Sequence, residues 1–299
     1  GPDYVSQLPI AVDATCSGLQ HFSAALKDID GGVATNLLPC DTPADIYEAV
    51  ISSAIKGIEA DIADSEFEKA EVAQACLTFG LSRKTAKRAT MTRVYGSTQY
   101  SIRDFIEEFF SDKEKSELAK DPNYQSVFKS KDTDSIETQK QIAELRFQAT
   151  LYLAQKIWDA IDDTVVAAKD AMDWLQKSAH VLAKENLPIT WTTVDGLKVM
   201  QAYQSTNPRK VKTFDGTKFV YLTLREPNPK KLDTRKQSNG ISPNWVHAND
   251  GCHARMCVNL ASRQPEPVTH FTMIHDSFAC HAADTVSYTH LTLPTIYSV

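Results

Sequence analysis

No stretch of this 299-residue chain is apolar for long enough to cross a bilayer, which takes about 20 consecutive residues. The opening GPDYVSQLPI has no basic leader ahead of an apolar core, so neither a membrane span nor an export signal is predicted. Cysteine is sparse: Cys16, Cys40, Cys76, Cys252, Cys257 and Cys280 are scattered and form no C-x-x-C pair. That pattern argues against a disulfide frame or a zinc site and predicts reduced packing thiols. No repeat of solenoid type is present. What remains is ordinary globular usage, 42% hydrophobic and 23% charged, enough for one large core or two modest ones in a soluble intracellular protein.

A net charge of −6 would argue against a nucleic-acid partner if it were evenly spread. It is not. SRKTAKRATMTRVYGS, from Ser82 to Ser97, holds Arg83, Lys84, Lys87, Arg88 and Arg93 with no acid among them. As a helix it sets Arg83 and Lys87 one turn apart on one side, with Arg88 flanking them and Met91 beyond. Alone, such a row also fits a solvated basic face. Between Gln201 and Gly240 nine Lys or Arg stand against three acids, a local balance of +6. Two basic zones on an acidic body predict a polyanion touched in particular places.

The period-2 pattern of Leu8, Ile10 and Val12 predicts a strand ending at Asp13. CDTPADIYEAVISSAIKGIEADI reads as a helix with Pro43 in its first turn, and a second helix is expected from about Glu66 to Leu77. Asp112 to Asp134 is polar and reads as a mobile loop. Ser135 to about Lys184 is helical almost throughout, with Ile157, Trp158, Ile161, Val165, Ala168, Met172 and Leu175 as its core stripe. Beyond Pro188 two Asp-Gly turns predict two hairpins, the second from about Arg209 to Arg225. Asn249 and Asp250 are expected to cap a helix reaching Ser262, and VTHFTMIHDSFAC reads as a third hairpin with His275 and Asp276 at its tip.

Two carboxylates, Asp13 and Asp276, therefore fall at strand ends 263 residues apart (276 − 13). Two Mg²⁺ ions held about 3.5–4 Å apart by shared carboxylates are one arrangement that needs such a pair. Hard cations prefer oxygen and keep waters and substrate phosphates as further ligands, so few protein carboxylates suffice. With a row of cations to hold a triphosphate, the combination describes nucleotidyl transfer; each part alone is weak.

DATCSGLQHFSA at Asp13, R-x-x-x-K-R-x-x-M-T-x-x-Y-G from Arg83 to Gly96 and HDSF at His275 resemble motifs A, B and C of the single-subunit RNA polymerases of bacteriophages and mitochondria. GGVATNLLP, DIY at Asp45, TVVAAKDAMDWL at Thr164 and the stretch from Ser238 to His253, where Asn239 is interposed, extend the likeness across nearly all of residues 4 to 284. The resemblance implies an α+β, mainly helical fold: a right-hand polymerase palm and fingers with a small antiparallel palm sheet and β-hairpins. Its parts would be a palm start with motif A (1–62), fingers and scaffold helices with motif B (63–187), and a specificity-type hairpin with the motif C palm (188–284).

By the same resemblance Asp13 and Asp276 bind two Mg²⁺ with the carbonyl of Ala14 as a further ligand. Lys87 contacts the nucleotide phosphates and protonates pyrophosphate, and Arg83 and Arg88 bind phosphate. Related DNA polymerases place a Glu five residues beyond the motif A aspartate, where it blocks a ribose 2′-OH. Gly18 stands there and leaves room for a ribonucleotide. Tyr95 and His253 match the residues that sense that hydroxyl. The hairpin with Arg209, Lys210, Lys212 and Lys218 occupies the place of a promoter-reading loop.

The implied partners are a DNA template and promoter, an RNA product and rNTPs, with no membrane, for a monomeric polymerase in the cytoplasm of an infected bacterial cell rather than a mitochondrion. The thumb and N-terminal promoter-binding parts of the family are missing, so the chain reads as a fragment. From 285 to 299 it departs from the family pattern, and VSYTHLTLPTIYSV is read as a non-native tail. A related DNA polymerase, disfavoured by Gly18, motif B and DGCH, and a catalytically silent nucleic-acid-binding fragment stay open as alternatives.

Overall fold

The computed structural model describes residues 8–39, 41–64, 66–131 and 134–285. The expected tail, apart from Thr285, and Cys40 lie outside the described residues. In chain order the elements are β1 (Ile10–Asp13), α1 (Ser17–Leu26), α2 (Ile29–Ala34), α3 (Ile46–Ala63), α4 (Ala70–Phe79), α5 (Arg83–Arg93), α6 (Gln99–Lys120), α7 (Ile136–Thr164) and α8 (Val166–Lys184). There follow β2 (Ile189–Thr192), β3 (Lys198–Gln201), β4 (Gln204–Phe214), β5 (Phe219–Leu232), α9 (Thr234–Ala261), β6 (Phe271–Ile274) and β7 (Ser277–Cys280). Mostly helical structure with small antiparallel sheets agrees with the α+β expectation. No helix among the described residues is long and apolar enough to cross a membrane.

Two compact units form. One is assembled from both ends of the chain, Gly1–His21 with Asp170–Val299, and the other is Phe22–Lys169. In the second, α3 starts where the Asp45 carboxylate accepts the backbone N–H groups of Tyr47 and Glu48, the usual N-cap arrangement. Helix α3 buries Ile46, Val50, Ile51 and Ile58, and α7 buries Leu153, Ile157 and Ile161. Phe79, Phe110 and Phe128 stack at 4.7–5.3 Å between ring centroids.

In the end-built unit β1, β7 and β6 make an antiparallel sheet in that order. Its inner side packs on α9 through Phe278, Cys280, Val268, Cys257 and Ala261. The described thiols are all buried and unbridged, and burial pushes Cys76 and Cys257 up to about 12. They are packing groups.

All three hairpins form, with β4 and β5 extending beyond the expected Arg209 to Arg225. Three expectations are corrected. Asn249 and Asp250 do not start a helix: α9 begins at Thr234 on an Asp233 cap, and both residues lie within it. The region from Asp112 to Lys120 is not a loop but the end of α6, because the buried stripe Ile102, Ile106, Phe110 continues into Glu114, whose charge is met by Arg146 at 3.0 Å. Helix α3 begins at Ile46, so Pro43 precedes its first turn.

Candidate functional site

Asp13 ends β1 directly across from Ser277 of β7, and Asp276 immediately precedes Ser277 in the two-residue turn from β6. The sequence-distant aspartates are thus neighbours at one end of one sheet. Two non-glycine residues with left-handed backbone flank them: Cys16 (φ 58°) in the turn from β1 to α1, and His275 (φ 56°) just before Asp276. Positive φ costs a residue with a Cβ and persists only where surroundings impose it. In the β6–β7 turn the first central position is one glycine normally takes. Burial pushes the Asp276 carboxyl above its ordinary range, and the negative charges of Asp13 and Asp250 push it the same way. The Ser17 hydroxyl beside it acts in the opposite direction.

Around this pair stand further groups, most of which the sequence does not reveal. His21 of α1 donates from Nε2 to the Asp250 Oδ1 of α9 at 2.9 Å, and both side chains are at least nine-tenths buried. Three residues to either side of Asp250 on α9, His247 lies 5.9 Å from the ring of His275, and His253 meets Phe278 edge-on at 5.0 Å. Partners 229 residues apart leave no local signal, and of these groups the family resemblance points only to His253.

Arg83, Lys87, Arg88 and Tyr95 belong to the other unit. Ser82 and Thr85 form a capping box at the start of α5, and Thr85, Ala86, Ala89 and Thr90 give it a narrow buried face. That leaves Lys84, Lys87 and Arg88 exposed. The cations also meet acids and rings of their own unit. Arg83 pairs with Asp45 and lies 4.8 Å over Tyr47, with the Lys87 Nζ 5.9 Å from the same ring. Arg88 pairs with Glu108 over Phe105, while Arg93 is fastened to Asp162 at 3.0 Å over Trp158. Arg93 is the structural member of the run. Tyr95 is half-buried just past the helix end, and Gly18 is buried in α1.

In the β4–β5 ribbon opposed residues share a face. Lys210 lies opposite Thr223, Lys212 opposite Tyr221 and Phe214 opposite Phe219, with all of these exposed and no acid among them. The Lys212 Nζ sits 4.3 Å over the Phe219 ring. Arg209 points to the other face, where it pairs with Glu226 at 3.0 Å, and Lys218 lies in the turn. The four expected DNA contacts therefore divide between two faces and a tip.

Among the described residues no three His, Cys, Asp or Glu converge to hold a metal ion. A pair of carboxylates suffices for a hard cation that takes its other ligands from water and phosphate. Burial first, and then the charges of Asp13 and Asp250, make Asp276 resist ionisation, and a divalent cation beside it would relieve that. The Ala14 carbonyl accepts from the Cys16 N–H at 3.1 Å and keeps a second lone pair. Carboxylate and carbonyl oxygens are the donor types that suit a hard cation such as Mg²⁺.

A family model described as DNA-dependent RNA polymerase matches residues 1–291. Over 95% of its length the chain is 35% identical to the DNA-directed RNA polymerase of Enterobacteria phage K11 and 32% identical to T7 RNA polymerase of Escherichia phage T7. Over 94% it is 31% identical to the mitochondrial DNA-directed RNA polymerase 1 of Nicotiana sylvestris. It spans 33%, 34% and 25% of those proteins, respectively. Motifs A, B and C in order, set on this fold and matched along almost the whole chain, place it in the single-subunit, phage and mitochondrial type of the DNA-dependent RNA polymerase family.

Proposed function

We propose that the chain is the catalytic-core region of a phage-type DNA-directed RNA polymerase, adding ribonucleotides to an RNA 3′ end on a DNA template. The observation that carries this reading is the meeting of Asp13 and Asp276 at one sheet end. The end-built unit then corresponds to the palm, with α5 and its neighbouring helices in the fingers. Asp13, Asp276 and the Ala14 carbonyl would hold two Mg²⁺. When bound, these ions activate the attacking 3′-oxygen and steady the departing one. Arg83, Lys87 and Arg88 bind the triphosphate: the guanidinium groups grip phosphate oxygens in pairs, and the Lys87 ammonium gives a proton to leaving pyrophosphate. Exposed ion pairs such as Arg83–Asp45 and Arg88–Glu108 contribute only about 0–1 kcal/mol, so a polyanion can take over their cations.

Sugar choice tests the assignment. Tyr95 is proposed to sense the ribose 2′-OH and Gly18 to carry no side chain that would exclude it; Tyr95→Phe keeps the ring and removes the hydroxyl. A site built around a substrate hydroxyl penalises an analogue lacking it, because polar groups are left unpaired. In the full-length polymerase the rNTP over dNTP ratio of kcat/KM should fall about tenfold, some 1.4 kcal/mol. Gly18→Glu should impair rNTP use most. Unchanged ratios in both variants would reduce the two residues to packing roles.

The ribbon β4–β5 is proposed to meet promoter DNA through the face carrying Lys210 and Lys212. Replacing both with Ala should weaken binding across duplex sequences and lower the slope of log K against log salt by about 2, roughly one for each phosphate no longer neutralised. Arg209→Ala, on the face already paired with Glu226, should change that slope less. Equal slopes for all three proteins would count against this face.

A further inference from the structure

We propose that the buried His21–Asp250 pair is a positioning device for the carboxylate centre, with His21 of α1 anchoring Asp250 of α9 so that both helices hold Asp13 and Asp276 in register for a divalent cation. This rests on reading Asp13 and Asp276 as metal-binding.

His21 lies four residues after Ser17 on α1, hence on the same face, and α1 follows Asp13 by only a short turn. That turn includes Cys16, whose left-handed backbone needs an external hold. On the other side Asp250 sits between two residues whose partners bracket Asp276 in sequence. His247 meets His275, one residue before it, and His253 meets Phe278, two residues after it. A hydrogen bond from His21 to Asp250 therefore ties the helix that follows one aspartate to the helix that grips the turn carrying the other. A pair at least nine-tenths buried is a costly way to join two helices where apolar packing would serve. Where outer groups hold metal ligands in place, their loss typically weakens metal binding about 10–100-fold.

Mn²⁺ serves as the probe, its free concentration followed by electron paramagnetic resonance during titration of the chain. Asp250→Asn should weaken binding about 10–100-fold and His21→Ala about tenfold. His21→Gln keeps an N–H donor and should stay within about threefold of the parent. Asp250→Asn and His21→Gln preserve shape, so they decide the matter even if His21→Ala fails to fold. Thermal unfolding of the metal-free proteins separates positioning from packing: a merely structural pair would lower the melting temperature and leave the Mn²⁺ affinity of the folded fraction unchanged, which overturns the proposal. Binding that depends on Asp13 and Asp276 but not on Asp250 and His21 removes this inference alone. Absent binding, or binding indifferent to Asp13→Asn and Asp276→Asn, removes the metal-site reading and this inference with it.

Discussion

Asp13→Asn or Asp276→Asn in the full-length polymerase should abolish nucleotide addition, a loss on the order of a thousandfold or more in kcat, at least about 4 kcal/mol of transition-state stabilisation. The amide keeps shape and hydrogen bonding but is a poor ligand for a hard cation, so template binding should survive. Extension of an RNA primer on a DNA template measures the first effect, and binding of the same template–primer without nucleotides measures the second. Turnover within tenfold of the parent in either variant would remove the two-metal reading.

A companion effect has the opposite sign. The Asp276 carboxyl is held above its ordinary range, so the folded protein keeps this proton to a higher pH than the unfolded chain does. Stability linked to that proton is present at acid pH and lost as pH rises through the raised value. At neutral pH without divalent cation, Asp276→Asn should therefore raise the melting temperature while destroying activity, and the gain should shrink on acidification.

Arg146→Met should cost the helical unit about 3–5 kcal/mol of stability. Its guanidinium meets the buried Glu114 at 3.0 Å, Glu107 at 2.8 Å, the Ser111 hydroxyl at 3.1 Å and the Phe128 carbonyl at 3.3 Å. Without it Glu114 is left charged beside the Phe79–Phe110–Phe128 cluster. The stem of Met fills part of the same space, so most of the cost is electrostatic. Adding Glu114→Leu should recover most of the loss, because removing both partners leaves no stranded charge. Urea unfolding of the two single variants and the double variant forms the cycle that measures the coupling. A single-variant cost below about 1 kcal/mol would mean that water reaches Glu114.

Glu114 also explains why the end of α6 is hard to see in the sequence. Its position is the next in a four-residue stripe, yet a glutamate there breaks the apolar pattern, and the cation that lets it be buried comes from α7, 32 residues on. Helix α9 misleads for a related reason. Gly240 and Pro243 resemble loop punctuation, while Asn249 and Asp250 resemble a cap, although the Asp250 carboxylate answers to His21. The hairpins are legible because Asp-Gly turns and alternating strands are local signals. The aspartates are legible because one ends a strand and the other sits at the tip of a hairpin, whereas the basic run is legible only in part: its helix and cations are local, but the acids Asp45, Glu108 and Asp162 are not.

Strand β1 must find β7 across almost the whole chain, since Ile10 pairs with Cys280. On a ribosome adding about 5–20 residues per second, β1 emerges roughly 15–50 s before its partner exists. Through that interval its hydrogen-bonding edge has no native strand to meet, while the intervening residues Phe22–Lys169 are already made and form a compact unit of their own. The sheet that carries both aspartates can then assemble only after the helices between its strands have been made, and premature pairing of β1 with another chain is a misfolding route open to it. Slow synthesis would lengthen this exposure. A chain released before β7 has been made could contain every cation of α5 and still have no carboxylate centre.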